Sequence, residues 1–270
     1  MFGGRKGTIY CVYYTMNFVK YRKLLLLFFA FVFLLPNPIV KAEGKSFVGA
    51  TTIYEGQKGK TLKISLYIHG SEKIAGGSLD LLYDKTALTV QKTEAGDQLT
   101  GYLSSVHTGQ DGKVSLVWAK AVGETQEGTL LTITARLLKA DETTNLDLQN
   151  VKIYSKNGSA IAVDSFDGSV KPFKGDVRKH KSKVKGDKEW SVRLNNEFNS
   201  ATVNKHTVTV KDSGGNAIDV KIKVRDSKVF VVSPKSNYSR GTYTLEITEQ
   251  VRSLKGSKLK QPIKYEFSVE

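Results

Sequence analysis

The stretch LKISLYIH, residues 62–69, decides the fold class of this chain. Apolar side chains occupy every second position, at Leu62, Ile64, Leu66 and Ile68, with lysine, serine, tyrosine and histidine between them. Because successive side chains of a β-strand point to opposite faces of a sheet, this spacing predicts a strand with one buried face.

The same alternation recurs through most of the chain. It is repeated in residues 114–118, 131–137, 151–153, 190–194, 208–210, 220–224 and 263–269. Glycine-containing turn signals separate these segments, and no window carries an apolar helical stripe longer than two turns. We therefore predict an all-β protein, with about nine strands in residues 46–170 and about seven in residues 188–270, each set forming an antiparallel sandwich.

The positive charge is concentrated outside the first sandwich. The net charge is +15, yet residues 43–170 carry 13 basic and 15 acidic side chains, whereas residues 188–270 carry 15 and nine. No nucleic-acid reading module accompanies this charge, so no nucleic-acid partner is expected.

The segment 172–187 is basic and poor in large apolar side chains. This composition predicts a solvated linker, extended by self-repulsion, between domains at 43–171 and 188–270. A second interpretation is a contact segment for anionic cell-wall polymer or lipid headgroups. The contact residues would be Lys174, Arg178, Lys179, Lys181, Lys183 and Lys185.

The N-terminus has the plan of a secretory signal peptide, predicted over residues 1–42. Basic residues precede an uninterrupted apolar run at 24–35, and the small residues of a cleavage site follow two prolines. The alternative is a membrane anchor, which needs about 20 apolar residues. We expect cleavage, a mature chain that starts near Glu43 outside the cytoplasm, and no membrane span after it. Met16 is an alternative start to Met1.

Residues that would carry chemistry are sparse. The only cysteine is Cys11, in the leader, and the four histidines lack a spacing suited to zinc. Asp164 and Asp167, followed by Gly168, are typical of a tight turn or, alternatively, of a calcium site. A hydrolase would need carboxylates clustered in a cleft, which the sequence does not indicate. We therefore predict a non-catalytic protein without a metal or other cofactor.

Three segments in order resemble cohesin domains: IAGGSLDLLYDKTALTV at 74–90, GKVSLVW at 112–118 and GTLLTITA at 128–135. The resemblance covers about residues 47–171. It implies a nine-stranded jelly-roll β-sandwich, shared with a carbohydrate-binding superfamily, and non-covalent binding. In many members the partner is the small helical dockerin module of another secreted protein.

The resemblance also implies a binding face around residues 76–80, 98–108 and 114–120. The candidate partner-binding residues are Gly76, Ser78, Asp80, Tyr102, His107 and Lys120, with ordinary surface or core packing as the alternative role. Cellulosomal cohesins usually carry amide or carboxylate groups where this chain has Gly76 and Ser78. This difference argues against a cellulosome-type dockerin and leaves open a divergent protein partner or a glycan.

A polysaccharide-binding module is the competing class of function. It would need a planar row of exposed aromatic side chains. Tyr54, Tyr67, Tyr102 and Tyr154 would form such a row if they share one face.

Residues 188–270 resemble the immunoglobulin-like domains of bacterial surface proteins. The matching segments are WSVRLN at 190–195, DSGG at 212–215, GTYTL at 241–245 and GSKL at 256–259. The resemblance implies a spacer or wall-contact module, with Trp190 and Tyr243 in its core. Together the two domains predict a secreted or wall-associated adaptor.

Overall fold

The computed structural model describes residues 46–110 and 112–270, and the predicted signal segment lies outside them. The described residues form one compact unit. Among the described residues the only helices are two short 3₁₀ turns, Asp97–Leu99 and Ser200–Thr202, and no helix is long and apolar enough to cross a membrane. The predicted all-β class is confirmed.

Ten strands build the first sandwich and eight build the second. The first ten are β1 (Phe47–Ala50), β2 (Thr52–Tyr54), β3 (Thr61–Tyr83), β4 (Leu88–Ala95), β5 (Leu103–His107), β6 (Lys113–Leu137), β7 (Thr144–Tyr154), β8 (Ala160–Ile161), β9 (Asp164–Phe166) and β10 (Gly168–Lys171). The other eight are β11 (Asp176–Lys179), β12 (Trp190–Arg193), β13 (Val208–Asp212), β14 (Ala217–Ile218), β15 (Val220–Val224), β16 (Val229–Pro234), β17 (Gly241–Ile247) and β18 (Ile263–Val269).

Two long strands pass through both layers of the first sandwich. The first half of β3 pairs with β1 and with the second half of β6, which also pairs with β4. The second half of β3 pairs with β7 and with the first half of β6, which also pairs with β5. The inward side chains of the two layers, among them Leu66, Leu79 and Leu116, are fully buried between them.

The second sandwich packs a five-stranded sheet, ordered β11-β18-β17-β13-β14, on a three-stranded sheet, ordered β12-β16-β15. Phe230 and Phe267 are almost completely buried in its core. Trp190 and Tyr243 are buried in the same cluster, as their positions in the alternating strands predict.

The segment predicted to be a solvated linker differs from that expectation. Residues Asp176–Lys179 form β11, which pairs in parallel with β18, and Val184 is buried beside Val269. This segment is therefore the edge of the second sandwich rather than an extended spacer. Its apolar content is low because little of it is buried: Val177, in β11, is 56% exposed, and Val184, beyond β11, is the buried apolar side chain of the segment.

The two sandwiches meet at a contact that we call the joint. It covers the outer side of β1, β9 and the first half of β3, where Tyr67 is only 2% exposed. The second sandwich contributes His206 and the segment 249–252, which follows β17. The contacting pairs include Tyr67 with His206, Phe166 with Arg252, Tyr54 and Lys171 with Glu249, Ala50 and Thr52 with Gln250, and Asp97 with Lys205.

Candidate functional site

Four neighbouring strands on the other side of the first sandwich form an uncovered sheet face. β5, the first half of β6, the second half of β3 and β7 lie side by side in that order. Directly paired residues point to the same side of a sheet, so the outward side chains form cross-strand rows. From β5 to β7 the rows are Leu103–Ala119–Gly76–Tyr154, Ser105–Val117–Ser78–Lys152 and His107–Ser115–Asp80–Gln149. We call these positions the β5–β7 face.

The first two rows of this face are apolar or small at their centre. Leu103 is 84% exposed, Val117 49% and Tyr154 37%, each on a different strand. Single exposed apolar side chains are ordinary on protein surfaces, whereas several on one face mark an interaction site. Ala119 and Gly76 lie between Leu103 and Tyr154, so large side chains stand at both ends of the row and its centre is a shallow depression.

Glycine is required at position 76 because the backbone of β6 comes very close. A Cβ added to Gly76 would lie 2.6 Å from the carbonyl oxygen of Trp118 and 3.2 Å from the Cα of Ala119. The close approach coincides with a register shift between β3 and β6 at Ile74 and Gly76. The pairing of the two long strands therefore requires a residue without a side chain at the centre of the face, which accounts for the depression there.

The third row is polar, and its carboxylate is already engaged within the chain. Asp80 accepts hydrogen bonds from Ser115 Oγ at 2.6 Å and from Asn150 Nδ2 at 2.7 Å, and it pairs with Lys113 Nζ at 3.0 Å. Partial burial opposes ionisation of Asp80, but these bonds and the lysine charge outweigh it and lower the pKa of the carboxyl. Asp80 thus ties β3 to β6 and β7.

Two of the six sequence-predicted residues lie apart from these rows. Tyr102 is buried, and its hydroxyl donates to the carbonyl oxygen of Ile74 at 2.8 Å. Lys120 Nζ lies 5.1 Å from the centroid of the Tyr102 ring and pairs with Glu124 at 2.6 Å. The structure therefore brings Gly76, Ser78, Asp80 and His107 together on one face, whereas Tyr102 packs beneath its edge.

Two exposed residues of the face, Leu103 and Val117, are not among the residues predicted from the sequence. A signal for Val117 exists: Leu116, Val117 and Trp118 are three consecutive apolar residues in a strand that otherwise alternates, and the middle one must point outward. Leu103 carries no comparable signal, because β5 is too short and polar to show which side is buried.

The four tyrosines considered for a polysaccharide platform do not share a face. Tyr54 and Tyr67 lie in the joint, Tyr102 is buried, and Tyr154 belongs to the β5–β7 face. Tyr54, with its hydroxyl 3.3 Å from Glu249 Oε2, has a raised pKa because of burial and the nearby carboxylate. The planar row that the polysaccharide hypothesis needs is not formed by these residues.

The basic segment keeps most of its lysines in solvent. Lys179, Lys181, Lys183 and Lys185 are exposed, and in the described part of the chain no carboxylate lies within ion-pair distance of them. We call these four residues the lysine strip. Arg178 instead pairs with Asp176 at 2.6 Å, and Lys174 lies beside a cavity that Lys171 and Glu249 also line.

Asp164 and Asp167 do not form a tight turn. Asp164 starts β9, and Asp167 lies between β9 and β10, where its Oδ1 accepts the backbone N–H of Leu148 at 2.8 Å. Within residues 46–110 and 112–270, no three or more histidine, cysteine, aspartate or glutamate side chains are grouped so that they would hold a metal ion.

Comparison with known families agrees with this architecture. Residues 50–171 match the profile described as cohesin domain, and residues 175–269 match that described as bacterial Ig-like domain. Residues 50–171 of the chain are therefore a cohesin domain and residues 175–269 a bacterial Ig-like domain, and the predicted resemblances are confirmed. Domains of both families are non-catalytic binding modules.

Solved structures similar to the first sandwich are cohesins. A non-cellulosomal cohesin from Archaeoglobus fulgidus is 19% identical, with a TM-score of 0.44 over 48% of this chain and 92% of that one. The seventh ScaB type I cohesin from Pseudobacteroides cellulosolvens is 21% identical, with a TM-score of 0.41 over 47% and 92%. The sixth cohesin of scaffoldin B from Acetivibrio cellulolyticus, solved with a Cel5 dockerin, is 12% identical, with a TM-score of 0.43 over 47% and 99%. No curated protein matches the chain.

Proposed function

We propose that this protein is an extracellular adaptor whose cohesin domain binds a helical, dockerin-like module through the β5–β7 face. The observation that carries the proposal is the exposure of Leu103, Val117 and Tyr154 on three strands of one sheet face. In the opposite layer of the sandwich, β1, β9 and part of β3 are covered at the joint, whereas the β5–β7 face is uncovered.

The dimensions of the face suit one helix. Three strand spacings separate β5 from β7, which is about 14 Å across the sheet. An α-helix with its side chains is about 10–12 Å wide. A helix lying along the strands would therefore rest over Gly76 and Ala119, between Leu103 and Tyr154.

The chemistry of the face favours an apolar ridge on that helix. The central positions offer aliphatic and small side chains, and Asp80 is held by Ser115, Asn150 and Lys113. Burial of apolar area contributes about 25 cal/mol per Å², without dependence on opposite charges. We therefore expect a partner that differs from those using charged contacts at the positions of Gly76 and Ser78.

The test is binding of the full-length protein to a displayed library of purified dockerin modules. Val117→Asp should weaken the selected complex by at least 100-fold, since it places a charge at the centre of an apolar contact. Val224→Asp is the matched control, because Val224 is 40% exposed on the second sandwich. Failure to select any dockerin, or equal binding by both variants, would contradict the proposal.

The second candidate function is retention on an anionic cell-wall polymer through the Ig-like domain. The lysine strip favours it, because four exposed cations without carboxylate partners follow one another along an edge of the sheet. Secretion is part of the same proposal and depends on the signal segment predicted for residues 1–42.

A further inference from the structure

The joint contains an interruption in the sheet of the first sandwich. β1 runs parallel to β9, with Phe47 to Gly49 opposite Asp164 to Phe166, and β2 runs parallel to β10, with Thr52 to Tyr54 opposite Ser169 to Lys171. Between these two ladders the parallel pairing stops at residues 50–51 and 167–168, where both chain segments pass from one layer to the other. Backbone groups at such a break need other partners, since a buried unpaired peptide group is costly.

A single side chain from the second sandwich occupies this break. Gln250 Oε1 accepts the backbone N–H of Thr52 at 3.0 Å. Its Nε2 donates to the carbonyl oxygen of Ala50 at 2.6 Å and to that of Asp167 at 3.2 Å. A glutamine amide has the C=O and N–H groups of a peptide unit, so it serves here as the missing element of a ladder.

The surroundings of Gln250 hold it in this position. Gln250 is only 2% exposed. On either side of it, Glu249 pairs with Lys171, and the guanidinium of Arg252 lies 4.0 Å from the centroid of the Phe166 ring. Rotation of one sandwich against the other would break these contacts together and leave the groups at the break without partners.

We propose that the Ig-like domain completes the cohesin domain through Gln250, so that the two sandwiches form one rigid body rather than a flexibly tethered pair. The β5–β7 face and the lysine strip are then held at a fixed separation and orientation. The rigid connection is independent of what either surface binds.

The test measures the distance between spin labels in the full-length chain with Cys11→Ser, which removes the only native cysteine. Ser159→Cys and Ser213→Cys place one label on an exposed position of each sandwich. Pulsed electron resonance should give one narrow distance distribution, as narrow as that of a label pair within the first sandwich. A broad distribution in this protein would overturn the proposal.

Substitution of Gln250 separates its role from that of general packing. Gln250→Leu keeps a similar volume without the amide, and it should broaden the distance distribution and speed hydrogen exchange of the Thr52 amide at least tenfold. Gln126→Leu is the matched control, because Gln126 is equally buried and bonds to the carbonyl oxygen of Gln98 within the first sandwich. It should leave the inter-sandwich distance unchanged.

A second variant at position 250 keeps the proposal testable if Gln250→Leu does not fold. Gln250→Glu keeps the acceptor for Thr52 but loses the donors to Ala50 and Asp167, so it should broaden the distribution even if Gln250→Leu does not fold. An unchanged narrow distribution and unchanged Thr52 exchange in a folded Gln250 variant would show that the amide does not couple the sandwiches.

Discussion

The rings of Tyr67 and His206 stack with their centroids 4.4 Å apart and their planes 11° from parallel. Tyr67 belongs to β3 of the cohesin domain, and His206 lies just before β13 of the Ig-like domain. Burial in this contact, with a smaller contribution from Lys205, lowers the pKa of His206 from 6.5 to about 4, although Asp97 acts in the opposite direction.

The depressed pKa of His206 predicts loss of stability in acid. His206 takes up a proton near pH 6.5 in the unfolded chain and only near pH 4 in the folded one. The stability that the buried neutral imidazole contributes is therefore complete above pH 6.5 and is lost as the pH falls toward 4. At one pKa unit per 1.36 kcal/mol, the loss is at most about 3 kcal/mol. Urea denaturation at pH 7, 5.5 and 4 should show it.

His206→Phe should keep the stack and remove most of this pH dependence. His107→Gln, at an exposed histidine, should leave the pH dependence as in the unsubstituted protein. An equal loss of stability at low pH in His206→Phe would show that other titrating groups cause the effect.

Asp80 should stabilise the first sandwich by linking three strands. Asp80→Asn is expected to cost about 1 kcal/mol, because Lys113 loses its partner and the hydrogen bonds weaken. In a double-mutant cycle, Ser115→Ala should cost less in the Asp80→Asn background than alone. Asp219→Asn, which breaks an ion pair with Lys235 at two exposed side chains, should change stability little. Additive effects of Asp80 and Ser115 would contradict the link.

A methyl group at position 76 should destabilise the cohesin domain. Gly76→Ala forces its Cβ against the backbone of β6, and overpacking of this kind costs about 1–3 kcal/mol. Gly241→Ala is the control, because the nearest atom to its added Cβ is 3.8 Å away. Thermal unfolding of the two variants should differ clearly, and equal midpoints would refute the close approach.

The lysine strip should account for salt-sensitive binding to purified cell wall. Changing Lys179, Lys181, Lys183 and Lys185 to glutamine should weaken binding at low salt and flatten its dependence on salt concentration, because fewer counterions are released. The control changes four other exposed lysines of the same domain, Lys221, Lys223, Lys255 and Lys258, and removes the same charge. Equal effects would indicate a general charge effect, and salt-independent retention would reject the electrostatic mechanism.

The local patterns in the sequence predicted the strands but not how they connect across the layers. Leu62 to Ile68 alternate because one side of β3 faces the core, and this is visible without a structure. The passage of β3 and β6 through both layers depends on pairing between distant residues, such as Ile64 with Ile133. No local pattern encodes that pairing.

The candidate site also has features that follow from local sequence and others that depend on distant residues. Gly76, Ser78 and Asp80 were accessible to prediction because they alternate on one strand and resemble a family motif. The role of Asp80 depends on Asn150, 70 positions away, and the burial of Tyr67 depends on a second domain. The composition of residues 172–187 predicted a solvated linker for a related reason. The burial of Val184 depends on its pairing with the distant residue Val269, and a single valine among lysines gives no local pattern.

Gln250 also has a consequence for the order in which the chain matures. It follows Ala50 by 200 positions, whereas the strands that it joins, β1, β2, β9 and β10, are all complete by Lys171. A chain made from its N-terminus can pair those strands long before residue 250 exists, and domains generally begin to fold in that order. The last hydrogen bonds of the first domain therefore form only after residue 250 has been synthesised, which makes formation of the Ig-like domain a step in the assembly of the cohesin domain.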